Sequence, residues 1–190
     1  MDPVGEVTLR LSGPCGEVDR DFRVSANVLR LASPVFTRML GTSFCEGQRL
    51  LSEKSSIIEL GDDQPAVMES ILRVLHFSSN SADRVMTPEQ LAQVAIHCDK
   101  YDFTRALGPW VTTWFRNVRG ASSDAKGLGL QILAAYMFGD CSEFRDISRA
   151  AVLQLSLMFP MKWKEEALLS ILPMSVTSKC KTYLTRIHYD

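Results

Sequence analysis

The segment Phe22–Leu40, FRVSANVLRLASPVFTRML, constrains the fold of this chain more than any other. Phe22 and Val24 alternate around Arg23 as a half-buried strand does, and the hydrophobic period then changes. Ser25 stands where a helix cap belongs, its hydroxyl placed to accept a first-turn N–H. Val28, Leu29, Leu31 and Ala32 supply the apolar side of one short helix. Pro34 favours the first position of a second helix, in which Val35, Phe36, Met39 and Leu40 repeat the pattern. A strand that runs straight into a tight helical pair, with no catalytic residue type at its tip, is architecture rather than chemistry.

The surroundings extend this reading. Val7, Leu9 and Leu11 alternate with Glu6, Thr8 and Arg10 as a first strand. The turn residues Ser12-Gly13-Pro14-Cys15-Gly16 then lead into a second strand through Val18, Phe22 and Val24, a hairpin partner of the first. Gly41–Ser55 reads as a polar loop and Ile57–Leu60 as a short strand. Asp63 is expected to cap a helix that has Pro65 in its first turn and buries Val67, Ile71, Leu72 and Leu75. Ser78–Asp83 is a polar break.

Thr87-Pro88-Glu89-Gln90 starts the next helix as a capping box. Its Leu91, Val94, Ala95 and Cys98 share one stripe. A further helix opens at Thr104, is expected to break at Gly108-Pro109, and resumes through Trp110, Val111, Trp114 and Phe115. Gly120–Asp124 is the linker candidate. Beyond it Leu128–Phe138 and Phe144–Leu157 form an expected antiparallel pair, closed by Pro160, with shorter helices near Lys164–Leu172 and Thr177–Ile187. Strands come first and helices follow, which is an α+β class with an all-α C-terminal extension. The expected division is 1–119 and 120–190.

At 190 residues and 46% apolar the chain can build a substantial core. A net charge of −1 supplies no electrostatic reason to expect nucleic acid or an anionic membrane as partner. No apolar run is long enough to span a bilayer, and the opening MDPVGEVTLRL lacks the order of a signal peptide. Cys15, Cys45, Cys98, Cys141 and Cys180 are odd in number and widely spaced, which fits reduced thiols and a cytoplasmic or nuclear location.

Several separated motifs, in order, resemble the BTB/POZ domain, in particular the short BTB proteins of filamentous fungi. They are Phe22-x-Val24 leading to Val28-Leu29, then Ser33-Pro34-Val35-Phe36-x-x-Met39-Leu40, and Ile57–Leu60 in the third-strand position. Ala95-x-x-Cys98-Asp99-Lys100-Tyr101-Asp102 is similar to the family's "ADKY" helix end, with Pro109-Trp110-x-x-x-Trp114 after it. The resemblance covers roughly Glu6–Arg119. It implies a short sheet flanked by a cluster of helices, and core positions for Phe22, Val24, Leu29, Phe36 and Met39. It also implies a non-enzymatic module, scaffold or adaptor, that works through protein partners.

Family dimers exchange an N-terminal helix and strand, whereas here only Met1–Gly5 precede Glu6. Ala26 stands where those dimers carry a basic residue, so self-association is not expected to use that exchange. Many adaptors of cullin-3 ubiquitin ligases carry a hydrophobic-x-Glu motif after the helical pair, and Phe44-Cys45-Glu46 occupies that place. Phe44 and Glu46 are therefore the candidate partner-binding residues. The competing reading has Phe44 folded back over the helical pair and Glu46 solvated. A transcriptional regulator acting through partners is the alternative from another class.

Signs of chemistry are weak. Gly41-Thr42-Ser43-Phe44-Cys45 lacks the last glycine of a nucleophile elbow, and Gly127-Leu128-Gly129 lacks the third glycine of a dinucleotide loop. No CxxC or HxxxH spacing is present for zinc, and nothing calls for a cofactor. Asp62-Asp63 reads as turn and cap, His76 and His188 as capping or solvated, and Trp110, Trp114 and Phe115 as a packing stripe. Lys162, Lys164, Lys179, Lys181 and Arg186, interrupted by Glu165 and Glu166, read as a solvated face.

Overall fold

The computed structural model describes residues 1–12, 19–119, 124–154 and 163–178. Several expected features lie outside these residues. They are the turn after Ser12, Val18, the linker up to Ser123, the end of the helix at Leu155–Pro160, and the last helix beyond Ser178. Cys15, Cys180, His188, Lys162, Lys179, Lys181 and Arg186 lie outside them as well.

Among the described residues the architecture is α+β, a small three-stranded mixed sheet together with helices. Strands β1 (Val7–Leu11), β2 (Arg20–Val24) and β3 (Ser56–Leu60) lie in the order β2-β1-β3. β2 runs antiparallel to β1, with Leu9 opposite Phe22 and Val7 opposite Val24. β3 runs parallel to β1, with Ile58 beside Leu9 and Leu60 beside Leu11. Because side chains alternate along a strand, this register gathers Val7, Leu9, Leu11, Phe22, Val24, Ile58 and Leu60 on one buried face.

The helices are α1 (Ala26–Ala32), α2 (Pro34–Met39), α3 (Cys45–Glu53), α4 (Pro65–Leu75), α5 (Pro88–Tyr101), α6 (Thr104–Val118), α7 (Ala125–Met137) and α8 (Cys141–Gln154). Two compact units divide the chain. The first holds Met1–Arg84 with His97–Val111, and the second holds Val85–Ile96 with Thr112–Asp190.

In the first unit, Ser25 occupies the cap position of α1, but its side chain makes no cap bond. Two remote side chains act instead: the Glu6 carboxylate accepts the Ala26 N–H at 3.1 Å, and His76 Nε2 accepts the Ser25 N–H at 3.1 Å. Leu31 is 90% exposed rather than part of the buried side of α1, which is formed by Ala26 and Leu29. Successive residues turn by about 100°, so Leu29 and Leu31 cannot share one face of a seven-residue helix. Ser33 caps α2: its hydroxyl accepts the Phe36 N–H at 3.0 Å and donates to the Tyr101 carbonyl at 2.5 Å.

The expected polar loop Gly41–Ser55 contains helix α3. Its entry is tight, since a Cβ on Gly47 would fall 2.0 Å from the Gly41 carbonyl oxygen. Asp63 does not cap α4. Gln64 stands at the cap position, and no side chain of its own closes the turn. Val67, Ile71, Leu72 and Leu75 are buried on α4.

In the second unit, Thr87 and Gln90 form a reciprocal capping box: the Thr87 N–H donates to Gln90 Oε1 at 2.9 Å and the Gln90 N–H to Thr87 Oγ1 at 3.2 Å. Asp124 caps α7 by accepting the Gly127 N–H at 2.9 Å. Helix α7 packs on α8 and on the 3₁₀ turn Ala167–Ile171, which replaces the expected helix near Lys164–Leu172. Gly129 seats the Trp163 indole and Leu169, whose atoms would lie 2.8 and 2.7 Å from an added Cβ. Trp163 Nε1–H donates to the Ala125 carbonyl at 2.6 Å. Phe115 meets Phe138 edge-on at 6.1 Å.

Helix α6 is continuous through Gly108-Pro109, contrary to the expected interruption. Leu107, Val111, Trp114, Phe115 and Val118 are all buried, at helical spacing, and burial of such a stripe outweighs the single hydrogen bond that a proline forfeits. Trp110 keeps partial exposure.

Candidate functional site

The sequence-derived candidates meet at the start of α3. Phe44 is its cap residue in an extended conformation, followed by Cys45 and Glu46 in the first turn. A carboxylate at this position faces the positive end of the helix dipole, which favours it there. The Cys45 thiol donates to Glu46 Oε2 at 3.2 Å. Phe44 is 50% exposed, so it is neither folded away nor free of the protein surface.

Leu51 lies seven residues on and is 67% exposed. Seven residues are close to two helical turns, so Leu51 continues the side of α3 that begins at Phe44. Gln48 stands between them and spends its amide on the Thr42 carbonyl at 3.1 Å. The outer side of α3 thus offers two large apolar side chains, Phe44 and Leu51, while Glu46, two residues on from Phe44, is half-buried on another side of the first turn. An aromatic ring and a leucine held at helical spacing can enter an apolar pocket or groove.

Of the residues expected in the core, Phe22, Val24, Leu29 and Phe36 are buried, while Met39 is only half-buried. Phe36 stacks on Tyr101 and Phe103 at 5.2 and 5.7 Å between ring centroids. These aromatic contacts tie α2 to the end of α5 and to Phe103, two residues beyond it.

A second cluster was not legible in the sequence. Asp63 is 1% exposed, and its carboxylate accepts the Tyr101 hydroxyl and the Lys100 ammonium, the latter at 2.8 Å. His97 Nε2 lies 3.4 Å from Asp63 Oδ1 and accepts the Gln64 N–H at 3.2 Å. Burial pushes the Tyr101 phenol well above its ordinary pKa, and the hydrogen bond to Asp63 adds to that shift. Burial likewise raises the Cys98 thiol, which keeps it protonated and unreactive at neutral pH. The carboxylate, ammonium and phenol satisfy one another, so this cluster locks the segment after β3 to the end of α5. Asp62 takes a left-handed turn conformation at φ 62°.

Among the described residues no group of three metal-ligating side chains converges, and no helix is long and apolar enough to cross a membrane. Cys45, Cys98 and Cys141 are free thiols. Gly127 and Gly129 lie within α7, and the element before it among the described residues is helix α6. No protein-family model matches the chain, and no curated protein matches it.

Proposed function

We propose that this chain is a BTB-like protein–protein interaction module, a scaffold or adaptor that presents the outer side of α3 to a partner. The observation that carries this reading is the exposure of Phe44 and Leu51 two turns apart on one helix. Burying one such side chain on binding is worth about 1.5–3 kcal/mol, enough to make either a hot spot. The order hairpin, helical pair, third strand and further helices supports the BTB-like part of the reading, as do Phe36 in the core and Tyr101 at the helix end. The partner's complementary surface is an apolar pocket or groove for the Phe44 ring and the Leu51 side chain.

A Phe44→Ala, Leu51→Ala variant tests this reading. Both side chains are largely solvent-exposed, so the variant is expected to fold with nearly wild-type stability and to lose the partner proteins that the wild type retains in affinity capture. Equal retention by both would remove α3 as the docking face. A cullin-3 ubiquitin-ligase adaptor is the more specific version, favoured by Phe44-Cys45-Glu46 opening the helix. It requires that the cullin-3 N-terminal domain be retained by wild type and released by a Phe44→Ala, Glu46→Ala variant.

A further inference from the structure

His76 is the residue directly after α4, at its C-terminal cap, and both of its ring nitrogens are engaged. Nδ1 lies 3.0 Å from the Leu72 carbonyl oxygen, and Nε2 lies 3.1 Å from the Ser25 amide nitrogen. A carbonyl can only accept and an amide N–H can only donate. These partners therefore fix a neutral imidazole with its proton on Nδ1 and a bare lone pair on Nε2. Ser25 stands at the elbow between β2 and α1, where no side chain of its own closes the helix start.

We propose that His76 is an acid-sensitive latch for the β2–α1 elbow: a proton on Nε2 turns the acceptor into a donor aimed at the Ser25 N–H, and the latch opens. Two like N–H dipoles cannot share this 3.1 Å contact, so the ring must turn away. Of the two remote side chains on the first amides of α1, the Glu6 carboxylate on the Ala26 N–H then remains, beside the backbone bond from the Leu29 N–H to the Ser25 carbonyl.

The charges around the ring set the sign. On the N-terminal turn the Asp2 carboxylate favours the imidazolium and the Met1 amino group opposes it. At the elbow, Glu6 is engaged with Ala26, and the Arg23 guanidinium donates to the Gly5 carbonyl at 2.8 Å. On α4, the neighbouring Arg73 is drawn to Glu69 and Asp83. Half-burial is the largest influence and lowers the pKa of His76 below its ordinary value. The latch is thus complete above the ordinary histidine range of about pH 6.5 and is lost as pH falls toward the depressed folded value. His97 makes the same kind of contact, with Nε2 accepting the Gln64 N–H, but there Asp63 Oδ1 stands 3.4 Å from the ring nitrogen. His76 has no carboxylate at that distance among the described residues.

Native-state amide exchange of the full chain between about pH 5 and 7.5, corrected for intrinsic rates, reads the latch directly. The protection of the Ser25 amide is expected to fall about tenfold on acidification, the worth of one hydrogen bond. The Thr37 amide, bonded to the Ser33 carbonyl at 2.9 Å, should keep its protection. A His76→Gln variant supplies an acceptor that does not titrate, and its Ser25 protection should be flat with pH. The loss in wild type should also follow the NMR titration of the His76 ring. A flat wild-type profile, a loss that does not follow that titration, or an equal acid loss in His76→Gln would overturn the proposal.

Discussion

Replacing Phe77 by glycine should stabilise the protein. Phe77 follows α4 at φ 54°, with its N–H on the Val74 carbonyl at 3.1 Å and the Ser78 N–H on the Arg73 carbonyl at 2.9 Å. This is the left-handed closing position of a Schellman turn, which glycine normally fills. Holding a side-chain-bearing residue there costs about 1–2 kcal/mol. The ring offsets none of this by packing, because Phe77 is 95% exposed. Glycine removes the steric cost but gives back roughly 0.5–1 kcal/mol in unfolded-state entropy. The net gain is about 0.5–1 kcal/mol, or roughly 1–4 °C in Tm for a chain of this size. Phe77→Ala keeps Cβ and loses only the exposed ring, so it should stay within about 0.5 kcal/mol of wild type. Urea denaturation of the three proteins measures both differences. A glycine variant less stable than wild type would refute the reasoning and mean that the ring packs against the folded chain.

Two further perturbations address the buried contacts. Tyr101→Phe removes the hydroxyl that donates to Asp63 and leaves the buried carboxylate with one fewer partner; the expected loss is about 1.5–3 kcal/mol by denaturant titration, and a neutral result would mean that Asp63 is satisfied without it. Gly129→Ala should destabilise despite its roughly 1 kcal/mol gain in helix propensity, because a Cβ there meets Trp163 and Leu169 at a cost of about 1–3 kcal/mol. A lowered unfolding midpoint with red-shifted tryptophan emission is expected, whereas unchanged emission and midpoint would show that the seat has room.

The sheet was legible because each strand carries a short alternating pattern, and the register needs only that one face be apolar. The capping box at Thr87 and Gln90 was equally plain, since both partners lie within one turn. Helix α3 was hidden because its packing does not rest on an apolar stripe. Leu51 is exposed, and the close contact at its start is made by Gly47 against the Gly41 backbone. The continuity of α6 was hidden by a local signal, Gly108-Pro109, that a buried stripe outweighs.

The role of Asp63 was misread for a different reason. Its position before α4 is that of a cap, and nothing nearby in sequence announces partners 37 and 38 residues away. Local pattern reveals elements and caps, while the pairing of distant polar side chains needs the fold. The same holds for His76 and Glu6, which bind the α1 start in place of the serine that sequence pattern assigns to it. At the candidate docking face, Phe44 and Glu46 were visible as a motif, whereas Leu51 joined them only once α3 was seen to be a helix.

Hydrogen exchange of the full chain, with and without a partner retained by affinity capture, tests the central claim most directly. A module that docks through α3 should gain protection across Phe44–Leu51 on binding, and lose that gain together with the partner in the Phe44→Ala, Leu51→Ala variant. Protection that appears elsewhere and leaves Phe44–Leu51 unchanged would contradict it.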